Sequence, residues 1–227
     1  MLIQVAEALG PELLQQVTFV GGCTTGLLLT DAFTREQVRS TDDVDLIISV
    51  IGYTGFHKLQ EQLRRRGFKD AKDVDEDGGM PICAMQLHDL RVDFMPDDET
   101  VLGFSNRWYK RAVESATDYS LTEKLSIRLV TPVYFMATKL EAWNGRGNND
   151  ALSSRDMEDI LSLIDGRAEL RDEIELAGPE ERTYIATELS ALQQNPYFIH
   201  AVQNAARGNE PRVKRLYKII KQLAGLS

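Results

Sequence analysis

Cysteine and histidine are scarce in this chain. Cys23 and Cys83 stand sixty residues apart, with no paired spacing of the kind that zinc or dithiol chemistry needs. Both sit among apolar neighbours and read as buried thiols of a cytosolic protein. His57, His88 and His200 are dispersed and share no ligand spacing. No apolar run approaches the roughly 20 residues that cross a bilayer. The first residues, Met1-Leu2-Ile3-Gln4-Val5-Ala6-Glu7, lack the basic start and long apolar segment of a secretory leader, so a cytoplasmic location and no membrane partner are expected. Positive charge is also in deficit: 26 Lys and Arg stand against 35 Asp and Glu, a net charge of −9. That balance disfavours indiscriminate nucleic-acid binding, whose affinity comes mainly from many Lys and Arg contacts to phosphate. Glycine and proline are too few for a fibrous or disordered chain, and 43% hydrophobic residues in 227 suffice for one full core or two small ones.

Against this plain background a few glycines and aspartates stand out. The apolar segment Val17-Thr18-Phe19-Val20 runs into Gly21-Gly22, then into Thr24 and a helix-like stretch. Further on comes Thr41-Asp42-Asp43-Val44-Asp45-Leu46-Ile47-Ile48, and later Leu90-Arg91-Val92-Asp93-Phe94-Met95. Side chains alternate faces along a strand, so Asp43 and Asp45 share one face while Val44, Leu46 and Ile48 line the other. Asp42 points away and is set aside. Asp93 repeats the pattern between Val92 and Phe94, with Arg91 on its own face as an alternative ion-pair partner. Clustered carboxylates are costly unless a cation neutralises them, and all-oxygen donors suit hard divalent ions. A Gly-Gly turn entering a helix offers backbone amides to a phosphate. Metal plus polyphosphate is the chemistry of nucleotidyl transfer.

These residues resemble the DNA polymerase β-like nucleotidyltransferase superfamily, and more narrowly the AbiEii/MenA-type toxins and allied bacterial nucleotidyltransferases. Their Arg-x-Ser/Thr-x-Asp-hydrophobic-Asp-Leu signature is matched by Arg39, Thr41, Asp43, Val44, Asp45 and Leu46. Thr131–Leu140, carrying Lys139, resembles their lysine-bearing helix, and Arg155-Asp156-Met157-Glu158-Asp159-Ile160 resembles the helix that follows. The match spans residues 17 to 165, and the glycine- and asparagine-rich stretch between the two helices departs from the pattern. The resemblance implies Asp43, Asp45 and Asp93 as catalytic ligands of two Mg²⁺ ions, with Mn²⁺ as a substitute. It also implies Gly21, Gly22, Thr24 or Thr25, Thr41, Lys139 and Asp156 as nucleotide contacts. Asp93 would further accept the acceptor hydroxyl's proton. By periodicity alone, Lys139 lies off the Val133/Met136/Ala137/Leu140 face and reads as a solvated lysine. Asp156, in a first helical turn, is where the helix dipole favours an acid in any case.

The alternation of helix and strand signals predicts an α+β fold: a small mixed-sheet nucleotidyltransferase core over residues 1–130 and a helical domain over 131–227. Helices are expected at Met1–Leu14, Thr24–Phe33, Tyr53–Arg66 and around Arg107–Ala112. Strands are expected at Thr18–Gly21, Asp43–Val50, Ile82–Leu87, Leu90–Met95 and Ser126–Leu129, with His88-Asp89 as a hairpin turn. Asp73–Gly79 reads as an exposed acidic loop. Beyond Thr131-Pro132 the pattern is helical, with further helices after the Ser153-Ser154 cap and at Pro179–Leu192, Pro196–Ala206 and Pro211–Leu223. The last of these holds five basic residues and no acid between Pro211 and Lys221, a solvated face or an acceptor-contacting patch.

The leading expectation is a Mg²⁺-dependent enzyme that moves an NMP from an NTP to an acceptor, which the resemblance makes RNA, in particular a tRNA 3′ end, within a toxin–antitoxin pair. Alternatives are transfer to a small molecule of aminoglycoside type or to a protein hydroxyl, which the acidic balance favours through attraction of cations. A non-catalytic nucleotide-binding module is the third, and Asp93 counts against it, because a binding module needs no acceptor-activating carboxylate.

Overall fold

The computed structural model describes residues 1–50, 52–71 and 82–226. The chain divides into two compact units, one of residues 1–24 and 40–131, the other of residues 25–39 and 132–227. The fold is mixed α and β, with seven strands and twelve α-helices among the described residues.

All seven strands form one sheet in the first unit. They are β1 (Val17–Val20), β2 (Asp43–Ile48), β3 (Lys69–Asp70), β4 (Ala84–Leu87), β5 (Leu90–Pro96), β6 (Thr117–Thr122) and β7 (Leu125–Leu129), ordered β3-β4-β5-β2-β1-β7-β6. β2 pairs parallel with β5 and antiparallel with β1, while β1 meets β7 in parallel. The near-continuous apolar character of Val44–Ile48 suits β2's interior place, flanked on both sides. On β5 the alternation is strict: Val92, Phe94 and Pro96 are buried while Arg91, Asp93 and Met95 are partly exposed. The buried face is covered from the helix α4 side (Gly52–Arg65), where Phe68 meets Phe94 edge-on at 5.7 Å. The two-residue hairpin turn between β4 and β5 is present, with His88 in the left-handed region at φ 55°.

Helix α1 (Leu2–Leu14) forms as expected but is bent at Gly10-Pro11. In the stretch 100–130 the expected helix and strand form, as α6 (Tyr109–Ser115) and β7, and two further elements accompany them, helix α5 (Glu99–Leu102) and the edge strand β6 ahead of β7. β6 reads Thr-Asp-Tyr-Ser-Leu-Thr, with only Tyr119 and Leu121 turned partly inward, so a mostly exposed edge strand left almost no hydrophobic alternation to detect. The expected acidic loop at 73–79 lies outside the described residues.

The second unit is helical. Alpha helices α2 (Thr25–Leu28) and α3 (Ala32–Glu36) join α7 (Pro132–Arg146), α8 (Arg155–Gly166), α9 (Leu170–Glu175), α10 (Pro179–Leu192), α11 (Phe198–Ala205) and α12 (Glu210–Ala224). Ser154 caps α8 by accepting from the Met157 amide at 3.3 Å, and α7 and α10 begin on their prolines. The single helix expected over Thr24–Phe33 is instead broken. A 3-10 turn at Gly22–Thr24 leads into α2, and Asp31 starts α3 by capping Thr34 at 2.7 Å. The break is fixed from a distance: the amides of Thr30 and Asp31 both donate to the carbonyl of Gly166 at 2.9 Å. α9 was invisible in the pattern because only Leu170 and Ile174 of its acidic sequence are buried. Among the described residues, no helix is long and apolar enough to cross a membrane.

Candidate functional site

In the first unit, strand register brings the aspartates together. Asp43 lies beside Arg91 and Asp45 beside Asp93 across the parallel β2–β5 pair, with Ile47 beside Met95. Residues paired in register share a face, so three carboxylates and one guanidinium occupy one end of it, leaving two negative charges in excess. All four are partly exposed, whereas Ile47 further along is buried. Arg91 donates through Nε to both oxygens of Asp93, at 2.9 and 3.1 Å. The alternative ion pair weighed from the sequence is therefore formed.

Gly21 sits immediately above Asp45. Its φ is +74°, and a Cβ placed on it would stand 1.8 Å from Asp45 Oδ2 and 2.7 Å from Asp45 Cβ. Two independent constraints thus require glycine here: a left-handed backbone and the absence of any side chain over the carboxylate. Gly22 opens the 3-10 turn, and Thr24 closes it by donating from Oγ1 to the Gly21 carbonyl at 2.8 Å. The long helix dipole expected behind the glycines is replaced by one short turn and a four-residue helix, so any phosphate contact would rest on the turn's own amides. Thr41 reaches the Asp43 carbonyl at 3.4 Å, a long bond at the entry to β2.

Gly21→Ala is expected to lower stability by more than the roughly 1 kcal/mol that a left-handed alanine costs, because Asp45 must also move. Chemical denaturation would measure it. A variant as stable as the parent would mean that the turn can shift away from Asp45 without cost.

Asp43, Asp45 and Asp93 match a hard divalent cation in donor chemistry, and the Gly21 backbone packs directly on the Asp45 carboxylate. The side chains are not drawn into a ligand shell: among the described residues, no three Asp, Glu, His or Cys groups are gathered closely enough to hold a metal ion. The strands set the aspartates in register, and Arg91 turns Asp93 toward itself.

The second unit gathers the other residues singled out in the sequence. Lys139 is not solvated. It is 7% exposed, with its ammonium 3.0 Å from Asp156 Oδ1 and 2.8 Å from Asp159 Oδ2. Apolar periodicity misjudged it because a buried lysine on a helix face looks the same in sequence as an exposed one. Asp159, 1% exposed, also accepts from Thr25 Oγ1 at 3.2 Å and from Arg39 Nη2 at 3.2 Å, while Arg39 reaches Glu158 at 3.6 Å. Asp156 accepts from Arg146 Nε at 2.8 Å and Nη2 at 3.0 Å. Burial acts to raise the Asp156 carboxyl, but the hydrogen bonds and charges of Arg146 and Lys139 outweigh it and hold the group below the usual carboxylate range. Among the described residues, this network sets three cations against three carboxylates. Arg39, from the signature ahead of the paired aspartates, belongs to this network and not to the sheet.

Two of the terminal cations have a structural task as well. Arg212 and Arg215 both bind Asp165, and Arg212 also donates to Gln37 Oε1 at 2.8 Å. The basic face expected along α12 is reduced to Lys214, Lys218 and Lys221, which are exposed. A cavity of about 250 Å³ beside these residues, lined by Gln37, Ser154, Glu158, Asp165, Asn204 and Arg212 among others, contains none of the residues predicted for catalysis or nucleotide contact. Comparison with protein-family models and with curated proteins finds no match.

Proposed function

We propose that the chain is a nucleotidyltransferase of the DNA polymerase β-like type, dependent on Mg²⁺ or Mn²⁺, that transfers an NMP from an NTP to an acceptor hydroxyl. The observation that carries this reading is the register of Asp45 against Asp93 on adjacent parallel strands, with Asp43 on the same face and Gly21 held against Asp45. A surface that merely needed solubility would not place three carboxylates side by side on an interior strand pair with a glycine turn packed against one of them.

Asp43 and Asp45 would hold the ions, with Asp93 as the third ligand. A pair of Mg²⁺ ions in such a site supplies charge for the leaving pyrophosphate and acidifies the attacking hydroxyl. The amides of the Gly21-Gly22 turn orient the triphosphate. Asp93, released from or shared with Arg91, takes the acceptor proton as the acceptor oxygen bonds to the α-phosphorus and the bond to the pyrophosphate oxygen breaks. Arg91 then offsets charge at Asp93 in the resting state. RNA is the acceptor, and the resemblance to AbiEii/MenA-type proteins makes the chain a toxin with a cognate antitoxin.

Incubation with Mg²⁺ and each labelled NTP, against RNA, protein extract and small-molecule pools, tests this. Label is expected in RNA, from one NTP in preference to the others and only when the divalent ion is present. Label in no pool, with every NTP and with either ion, would overturn the reading.

A further inference from the structure

The cavity of about 250 Å³ beside Asp165 and Arg212 lies wholly within the second unit. It opens where α8 packs against α3, α11 and α12, so its walls come from four helices and the turns beside them. Ala151, Leu161 and Ala201 supply buried apolar wall, and most of the remaining lining is polar. Apolar wall with a few placed polar groups is the ordinary make-up of a small-molecule site.

Its charges are balanced. In the lining, Glu158 and Asp165 stand against Arg207 and Arg212. Asp165 also takes Arg215 from outside the cavity, and Glu158 lies 3.6 Å from Arg39. An ionic ligand would find no excess of opposite charge to receive it, whereas an uncharged polar one loses nothing on that account.

The groups left open are amides and a hydroxyl. Arg212, held through Nε by Asp165, donates through Nη1 to Gln37 Oε1 at 2.8 Å. That bond fixes which end of the Gln37 amide accepts, and its Nε2 is a donor with no partner among the described residues. The side chains of Asn204 and Ser162 likewise have no hydrogen-bond partner among the described residues. The Asn204 backbone is nonetheless fixed, because its carbonyl accepts from the Arg207 amide at 2.8 Å. A carboxamide offers a donor and an acceptor side by side, which matches the paired donor and acceptor on the edge of a nucleobase. A base is also flat and apolar across its faces, which suits a wall of alanine and leucine.

We infer that this cavity binds an uncharged nucleobase, with Gln37 and Asn204 reading its edge. The base belongs either to a free nucleoside or to an unpaired nucleotide of a strand. For its purpose this rests on the nucleotidyltransferase reading, since a nucleic-acid acceptor brings a base to be read. Its binding measurement does not rest on that reading. The site is separate from the proposed NTP contacts, none of which lines it.

The test is equilibrium dialysis of the full chain against each labelled nucleoside in turn, and against labelled glucose, without NTP or divalent ion. One nucleoside is expected to bind in preference to the other three, and glucose not at all. Asn204→Leu removes an amide contact and should weaken binding about 5- to 150-fold, the worth of one bidentate base contact. Ala205→Leu fills the cavity and should abolish binding. Thermal melting checks both folds; if Ala205→Leu melts early, the exposed Asn204 position decides. Asp45→Asn should bind the nucleoside as the parent does, because Asp45 lies in the first unit. A labelled oligoribonucleotide forms a second arm: a strand that binds where no free nucleoside does, and is lost in Ala205→Leu, upholds the site and assigns the base to a strand. No binding in either arm, equal binding of glucose, or undiminished binding in folded Asn204→Leu would overturn the inference. Loss of base binding in Asp45→Asn would move the base to the carboxylates and overturn it as well. NMP transfer by a chain that binds neither nucleoside nor strand here would refute this site while sparing the proposed chemistry. Base binding in a chain that transfers nothing would refute the chemistry while sparing this site.

Discussion

Asp45→Asn is expected to abolish NMP transfer and leave the sheet folded. The side chain is isosteric and fits the same space beneath Gly21, so packing is unchanged while a ligand charge is removed. Charge stabilisation by bound metal is worth several kcal/mol, and each 1.36 kcal/mol is tenfold in rate, so a loss of about 10³-fold or more is expected. Stability should hold or rise, because one of three crowded carboxylates has been neutralised. Asp43→Asn should act in the same direction. Single-turnover assays with labelled NTP, paired with thermal melting, measure both effects. Wild-type turnover in Asp45→Asn would remove this residue from the metal site and, with it, the reading of the whole strand face.

The second large effect concerns Lys139→Ala. Lys139 is 7% exposed between Asp156 and Asp159, so its removal leaves two buried carboxylates short of a cation. Breaking a buried pair from one side costs about 3–5 kcal/mol, a large part of the roughly 5–15 kcal/mol that holds a domain together. Arg146 and Arg39 remain to soften the loss, but Arg146 is largely solvent-exposed and its charge is screened. The change should therefore appear first as a fall in denaturation midpoint, before any effect on nucleotide binding is read. A pH series adds a second signature. The folded-state Asp156 carboxyl is depressed, so it contributes stability above its unfolded value near 3.9 that is lost as pH falls through its folded value. Without Lys139, one of the groups depressing Asp156 is gone, and the acid loss should begin at higher pH. An unchanged midpoint and acid limb in Lys139→Ala would mean that the network relaxes or admits water freely.

What could be read in the sequence was what depends on local pattern. Asp43 and Asp45 alternate with Val44 and Leu46, and Asp93 with Val92 and Phe94, so their shared face followed from strand geometry alone. The Gly-Gly turn, the His88-Asp89 hairpin, the Ser154 cap and the proline-started α10 likewise rest on backbone preferences acting over a few residues. Tertiary structure decided everything that depends on a partner distant in the chain. Lys139 is buried because Asp156 and Asp159 meet it across two helices, and no periodicity distinguishes a paired interior cation from a solvated one. α2 and α3 are separate because the Gly166 carbonyl takes the amides of Thr30 and Asp31 from 136 and 135 residues away along the chain. Arg212 and Arg215 look like a free basic stripe until Asp165 is placed beside them. Nor did the sequence say that α6 lies on the carboxylate face, where Tyr109 meets Met95. Alternation and capping are short-range and written locally, whereas burial of charge is a property of pairs, and the pairs here are made by the fold.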